Sequence, residues 1–599
     1  MTQQDVIESR TIPELFHRRC LSTPDARAYS QEYNGEWKSV SYGEYEKIIA
    51  AMTLALRARG FGKGDHIAIW ADTMAEWTIS DIAIMSAGGV AVGIFQTLTP
   101  EQAAYILNDC QAKAICVDTP ERLEGARQLR ELAPSVQTII LLQGKGEGDD
   151  FVRLEDLLAQ GKEILANDPE AFTRCIQEVD PEDPCTLIYT SGTTGEPKGA
   201  IHSHAGAVFT SLQTYRGVGL TTDDSTVSFL PMSHVAEHFC AFIVRLFAGS
   251  STSFCPDMTK VAEVIRMSSP TYVGGVPRVF EKVYGKVVAG VAAAPPKKQK
   301  LFHWAVGLGK QKLSMNGTAP SFAFRLQHKI ADKLVLSKIR AALGGRVRFI
   351  VCGAAPIDPE IIEFFYAIGI PFLEAYGMTE SGGISHGNTL DGCKIGSVGR
   401  CVEGFECKLA EDGEILVRGP GLFKGYLNKP EQTAEALDED GWLHTGDIGE
   451  VDADGYYRIT DRKKNIIVTA NGKNVAPAPI EQSIGGEALV SQVVVIGDKR
   501  KFLTALITLS EESLAEYASR HGVTIEEAHE SAEVKARIKL AVDAANEKLA
   551  RYEQIKDFRI LPREFSIEAD EMTPTMKLKR RVIEDHYRQE IDSMYAVEA

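Results

Sequence analysis

The sequence predicts an α/β fold divided into a large N-terminal unit and a small C-terminal one, and three observations carry that prediction. Through the first 400 residues short apolar runs alternate with segments of helical period, the pattern of layered and largely parallel sheets. Near residue 400 the pattern changes to shorter strands and turns. After "DRKK" (461–464) a second, smaller α/β pattern begins. A chain of 599 residues is also too long for one compact core.

Taken in order, "YEKIIAAMTLALRARG" and "PEQAAYILNDC" have the spacing of amphipathic helices. "HIAIWA", "GGVAVGI", "AKAICVD", "VQTIILL", "TYVGGV" and "VRFIVCG" read as buried strands. Residues 290 to 345 form a mostly helical insertion. Its stretch "PPKKQKLFHWAVGLGKQK" sets lysines beside Leu301, Phe302, Trp304 and Val306. Two readings stay open there, peripheral contact with an anionic membrane and an ordinary amphipathic surface helix. From 400 to 463 the chain is β-rich, with "GEILVRGPG" and a hairpin signal at Asp454-Gly455. Beyond Lys464 the strands "NIIVTANG", "SQVVVIGD" and "FLTALITL" and the helix "EVKARIKLAVDAANEKLARY" make up the small unit. The expected division is 1–463 and 464–599, with the hinge near Lys464.

Composition narrows the function. Hydrophobic content of 44% and charged content of 25% are ordinary for a globular protein. A net charge of -17 argues against general nucleic-acid binding. The opening "MTQQDVIESR" lacks the apolar core of a signal peptide. The stretch "IAIMSAGGVAVGIF" is too short and glycine-rich for a membrane span. Eleven cysteines without CxxC pairs suggest neither a zinc site nor a disulfide framework, and a reducing cytoplasmic setting is expected.

"YTSGTTGEPKGA" (189–200) has the parts of an anion cradle. Gly192, Gly195 and Gly199 free the backbone, Thr190, Ser191, Thr193 and Thr194 supply hydroxyls, and Lys198 supplies charge. Lys198 follows a proline and precedes a glycine, so the Walker spacing is excluded. In "EAYGMTES" (374–381), Tyr376 can stack on a base, Gly377 allows close backbone approach, and Glu380 can hold Mg²⁺ beside phosphate. Asp447 in "GWLHTGDIG" can accept from a ribose diol, and Arg462 offers a planar fork. "TPTMKLKRR" places lysines close to the C-terminus.

In this order the motifs resemble those of the adenylate-forming superfamily of acyl-CoA synthetases, luciferases and adenylation domains. The resemblance runs through "YTSGTTGEPKGA", "LPMSHVAEH", "VCGAAP", "EAYGMTES", "GEILVRGPGLFKGYLNKPEQT", "GWLHTGDIG", "YYRITDRKKNIIVTANGKNVAP" and "TPTMKLKR", and covers most of the chain. "VPRVFEK", the insertion after it and "YEQIKDFRIL" look most like the long-chain fatty acyl-CoA synthetase branch.

The resemblance implies a large adenylation domain of several subdomains and a small mobile lid. It places Thr190 to Lys198, including Ser191, Gly192, Thr193, Thr194 and Gly195, around the ATP β- and γ-phosphates. Gly353, Ala354, Ala355 and Pro356 flank the adenine with Glu374, Ala375 and Tyr376, and Gly377 and Met378 lead to Thr379 at the α-phosphate. Glu380 binds Mg²⁺, Asp447 and Arg462 hold the ribose, and Lys464 is the hinge. Lys577 bridges the carboxylate and the α-phosphate. His234 lies near the acyl carboxylate, with a packed core histidine as its alternative. Cys352 and His202 depart from the usual pattern, and Asn471 and Lys473 favour the fatty-acyl branch.

The implied reaction joins a long-chain fatty acid to coenzyme A with ATP and Mg²⁺ through an acyl-adenylate. Its rivals are a ligase that loads a carrier protein and a non-catalytic acyl-nucleotide binder. A homodimer is compatible with the sequence, which does not fix the oligomeric state.

Overall fold

The computed structural model describes residues 1–190, 196–315, 319–470, 473–573 and 577–596. The N-terminal unit is built on an eight-stranded sheet. Five of its strands, Val90–Ile94, His66–Trp70, Ala114–Val117, Thr138–Leu141 and Val152–Arg153, run parallel from the middle to one edge. Pro184–Thr190 continues parallel to Val90–Ile94. Lys198–Ser203 then folds back antiparallel, with Thr190 opposite Lys198. The expected phosphate-binding segment therefore begins on one strand of an antiparallel pair, at Thr190, and ends on the other, at Lys198. The strand interiors are almost fully buried, which is why they read as continuous apolar runs.

A second sheet aligns Tyr272–Gly275, Phe349–Cys352 and Phe372–Tyr376 in parallel. Its strand ends carry the expected adenine-binding segments. An antiparallel sheet of Glu406–Leu409, Glu414–Arg418, Leu443–Val451 and Tyr457–Arg462 forms the β-rich part, and the Asp454-Gly455 turn joins its last two strands. In the C-terminal unit, Val490–Ile496, Leu503–Leu509 and Ile555–Leu561 form a three-stranded sheet. Each apolar cluster among the described residues lies wholly on one side of the 463/464 junction.

Several sequence expectations change. Among the described residues of "NIIVTANG", only Ile467–Val468 is strand. The amide of Val468 is held by Asp498 Oδ1 at 3.2 Å and that of Ala470 by the Arg500 carbonyl at 2.8 Å, contacts to a neighbouring loop that replace a longer ladder. The helix expected to reach residue 552 ends at Asn546, whose side chain accepts from Ile555 N at 2.8 Å and donates to its carbonyl at 2.9 Å. Cys401 and Cys407 form a disulfide with Cα atoms 6.1 Å apart, against the expectation of no such bond. The tight turn between their two strands brings them together, a geometry that a search for CxxC pairs misses.

The insertion is helical as expected, but its lysine-flanked face is turned inward. Ala305 and Leu308 are buried in the core, Phe302 and Val306 pack against the same cluster, and Trp304 is exposed. The preceding helix, Pro277–Ala292, touches the C-terminal unit. Arg278 Nη2 donates to Ser491 Oγ at 3.4 Å, and Lys282 and Lys286 pair with Glu512 at 3.3 and 3.2 Å.

Candidate active site

Lys198, Glu380, Asp447, Arg462 and, from the C-terminal unit, Lys577 lie near one another within the described chain. Ser191, Gly192, Thr193, Thr194 and Gly195 lie outside it. The flanks of their loop are defined: a Cβ on Gly199 would stand 2.9 Å from the Tyr189 ring, and Tyr189 donates its hydroxyl to Asp109 at 2.7 Å. Only glycine leaves room there, so the two strands close tightly on each other.

Lys198 rests over the Tyr426 ring at 4.9 Å. Tyr426 in turn donates its hydroxyl to Glu380 Oε1. Loss of water and then the nearby Lys464 lower the Lys198 pKa, while Glu380 opposes the shift. Glu380 is buried in the short helical turn Thr379–Ser381, and no hydrogen bond to its Oε2 is found among the described residues. The Glu380 carbonyl accepts from Phe423 N at 2.9 Å, which ties this turn to the segment bearing Tyr426. Tyr426 was not singled out from the sequence. Its signal was its place in "FKGYLNKP", where an aromatic follows a glycine.

Asp447 is buried, and both of its oxygens are engaged. Tyr376 donates its hydroxyl to Oδ2 at 2.7 Å and Arg462 donates from Nε to Oδ1 at 3.0 Å. Each carboxylate oxygen retains a lone pair, enough to accept from a vicinal diol. Gly377 is needed for a different reason from the one expected. A Cβ there would lie 2.5 Å from the Gly383 carbonyl, so the close approach is to the chain itself.

The two adenine segments meet, since a Cβ on Gly353 would reach the Ala375 carbonyl at 2.9 Å. Beside it Ala354 holds φ at 72°, a left-handed conformation unusual for a non-glycine residue. Ala354, Ala355 and Pro356 are exposed, and burial raises Glu374 to a pKa of about 7.

Lys577 brings the C-terminal unit into the site. It is exposed, yet enough protein surrounds its ammonium to lower its pKa, an effect Arg462 enhances and Asp447 and Glu380 oppose. His234 is brought down to about 4, first by burial and then by the charge of Lys577. It accepts at Nδ1 from Ala236 N at 3.2 Å and is half-buried at a helix start. Lys464 is exposed in the turn after Arg462. Its neighbour Lys463 is anchored to Asp412 at 2.6 Å and Glu414 at 3.0 Å.

The two departures from pattern are core residues. Cys352 is a buried thiol. His202 packs edge-on against Phe239 at 5.1 Å, and burial lowers its pKa to about 3. Lys473 lies 5.9 Å over the Tyr552 ring, and Asn471 is outside the described residues.

The chain belongs to the AMP-binding enzyme family. The family's main domain matches residues 16–427 and its C-terminal domain matches residues 464–599. The chain is 36% identical over 590 residues to the long-chain-fatty-acid–CoA ligase FadD15 of Mycobacterium bovis, covering 96% of this chain and 95% of that one. It is 34% identical over 624 residues to the long-chain-fatty-acid–CoA ligase ACSBG2 of Xenopus laevis, covering 98% and 84%. Its fold is similar to that of the anthranilate CoA ligase AuaEII, solved with anthranoyl-AMP, at a TM-score of 0.75 and 22% identity over 99% of this chain and 100% of that one.

Proposed function

We propose that the chain is an AMP-forming long-chain fatty acyl-CoA ligase, with an adenylation domain at 1–463 and a lid at 464–599. The observation that carries this reading is the placement of Lys577 within electrostatic reach of Glu380, Asp447 and Arg462. That cluster suits the first half-reaction. Similarity to long-chain ligases over nearly the whole chain supports the substrate class.

In the first step a carboxylate oxygen of the fatty acid attacks the α-phosphorus of ATP, the bond to the β-phosphate breaks, and pyrophosphate leaves. Lys198 and the loop from Thr190 stabilise the leaving charge. Lys577 offsets the charge where carboxylate and α-phosphate meet. Thr379 lies beside the α-phosphate, and Asp447 and Arg462 hold the ribose between the adenine segments. Glu380 fits a Mg²⁺ ligand, since its buried carboxylate has an oxygen to spare and hard cations take oxygen donors. Mg²⁺ bound there would neutralise phosphate charge. In the second step the lid turns about Lys464, withdrawing Lys577. The coenzyme A thiol attacks the acyl carbonyl, its proton passes to solvent, and AMP leaves.

The test is a substrate scan from acetate to stearate, following AMP with coenzyme A present. Each buried CH₂ adds about 0.8 kcal/mol, so preference climbs steeply toward long chains. A best substrate among the shortest acids would overturn the chain-length assignment. Acyl transfer to a carrier protein in place of coenzyme A would overturn the acceptor.

A further inference from the structure

Between Glu281 and Asp332 the chain has 50 residues with nine lysines or arginines and no acidic residue, within a protein of net charge -17. The helix Phe322–Ala331 and the wider turn Asp332–Leu336 that extends it close this segment. One side of that element is core: Phe324, Ala331 and Leu336 are buried. The other side is also apolar. Phe322, Leu326, Ile330 and Leu334 recur every fourth residue and are 76%, 52%, 45% and 43% exposed. Side chains four apart stand one above another along a helix, so these four make a continuous stripe.

Cations follow the stripe. Arg325, Lys329 and Lys333 each come three residues after an exposed apolar side chain, and all three are exposed. No ion pair of theirs is found among the described residues. The helix Pro296–Ser314 packs alongside and adds exposed Lys297, Lys298 and Lys300. Large apolar side chains at the surface of a helix, set in cations, with the one acid of the element, Asp332, paired to Arg340 at 2.7 Å, match the headgroup and upper acyl region of an anionic bilayer. A second copy of this chain would bring the same positive charge to the contact. A bilayer brings the opposite charge.

We propose that the face carrying Phe322, Leu326, Ile330 and Leu334 docks the protein on the surface of an anionic phospholipid bilayer. No step of the ligase reaction depends on this face, so the proposal goes beyond the catalytic reading.

The full chain is sedimented with vesicles of phosphatidylcholine alone and of phosphatidylcholine mixed with phosphatidylglycerol. Binding to the mixed vesicles that weakens as salt rises is expected. Leu326→Asp with Ile330→Asp, and separately Lys329→Glu with Lys333→Glu, should each reduce partitioning on the order of 10-fold or more. Neither pair lies in the cleft, so both variants should keep the circular-dichroism melt and the pyrophosphate release of the parent with an acid supplied in solution. Absence of vesicle binding by the parent, or binding unchanged in both variants, would overturn the proposal. So would a concentration-dependent dimer that Leu326→Asp with Ile330→Asp dissolves, since that would assign the face to a second copy. Loss of ligase activity alone would bear on the catalytic reading only, because the sedimentation needs no substrate.

Discussion

Arg462 reaches across the antiparallel strand pair to Asp447, Nε to Oδ1 at 3.0 Å, from a position two residues before the hinge lysine. The proposed ribose ligand and the proposed pivot of the lid thereby stand two residues apart, at a strand end and in the turn that follows it. Tyr376 completes the set by donating to the other Asp447 oxygen. Asp447→Asn removes the charge that both donors face. A hydrogen bond to a charged group contributes about 1.5–3 kcal/mol, so the ATP KM should rise on the order of 10- to 100-fold. Tyr376→Phe should raise it by less. Equal ATP affinity in Asp447→Asn and the parent would remove Asp447 from the nucleotide site.

Glu380→Gln keeps the acceptor for Tyr426 and discards the charge. Adenylation at fixed Mg²⁺ should fall on the order of 100-fold, and part of it should return as Mg²⁺ is raised. Tyr426→Phe leaves the carboxylate and should lose far less. Near-normal pyrophosphate release by folded Glu380→Gln would move the metal to another residue.

Lys577→Ala should separate the half-reactions. Pyrophosphate release should drop on the order of 100-fold, while supplied acyl-AMP and coenzyme A still form acyl-CoA at close to the parent rate. Lys464→Pro should show the converse, since a fixed φ obstructs rotation at the hinge. Exposed Arg581 serves as the surface control through Arg581→Ala. Lys579 and Arg580 do not, because they pair with Asp570 and Glu481 inside the lid. Equal loss of both steps in Lys577→Ala would defeat the lid assignment.

Glu237 gives a pH signature of folding. It is buried beside Arg245, accepts from Ser228, and has its pKa raised by burial from 4.5 to about 7. Between those values the unfolded chain has lost this proton and the folded chain keeps it. Stability from this group is therefore full below about 4.5 and declines as pH rises toward 7. The buried His202 and His204 act oppositely, because their lowered folded pKa values make stability rise with pH below 6.5. Glu237→Gln removes only the first effect. Urea melts across this range should show the variant gaining stability relative to the parent as pH rises. A difference that does not change with pH would exclude proton uptake at Glu237.

Most of the scaffold was legible because its strands are buried on both faces. "VAVGI" and "AICV" are apolar throughout, "HIAIW" is apolar after its leading His66, and all three sit where those runs predict. The proposed catalytic positions rest on motif order, whereas their partners were not legible in it. Tyr426 joins Lys198 to Glu380 only through the fold, as Phe423 N and the Glu380 carbonyl bring the two segments together. The Cys401–Cys407 bond likewise depends on strand geometry. Arg580, in the basic stretch "TPTMKLKRR", is drawn inward by Glu481 from 99 residues away. Such pairings need distances, which periodicity and spacing do not supply.

Among the described residues no apolar cluster crosses the junction at 463/464, and the contacts across it include Arg278, Lys282 and Lys286 against Ser491 and Glu512. Exposed ion pairs of this kind typically contribute about 0–1 kcal/mol each. The proposed lid would thus occupy a shallow well. The free-energy difference between its positions is within the range that a bound nucleotide or a departing pyrophosphate can invert. Salt alone should shift the balance, so the ratio of the two half-reaction rates becomes a property of the medium as well as of the enzyme.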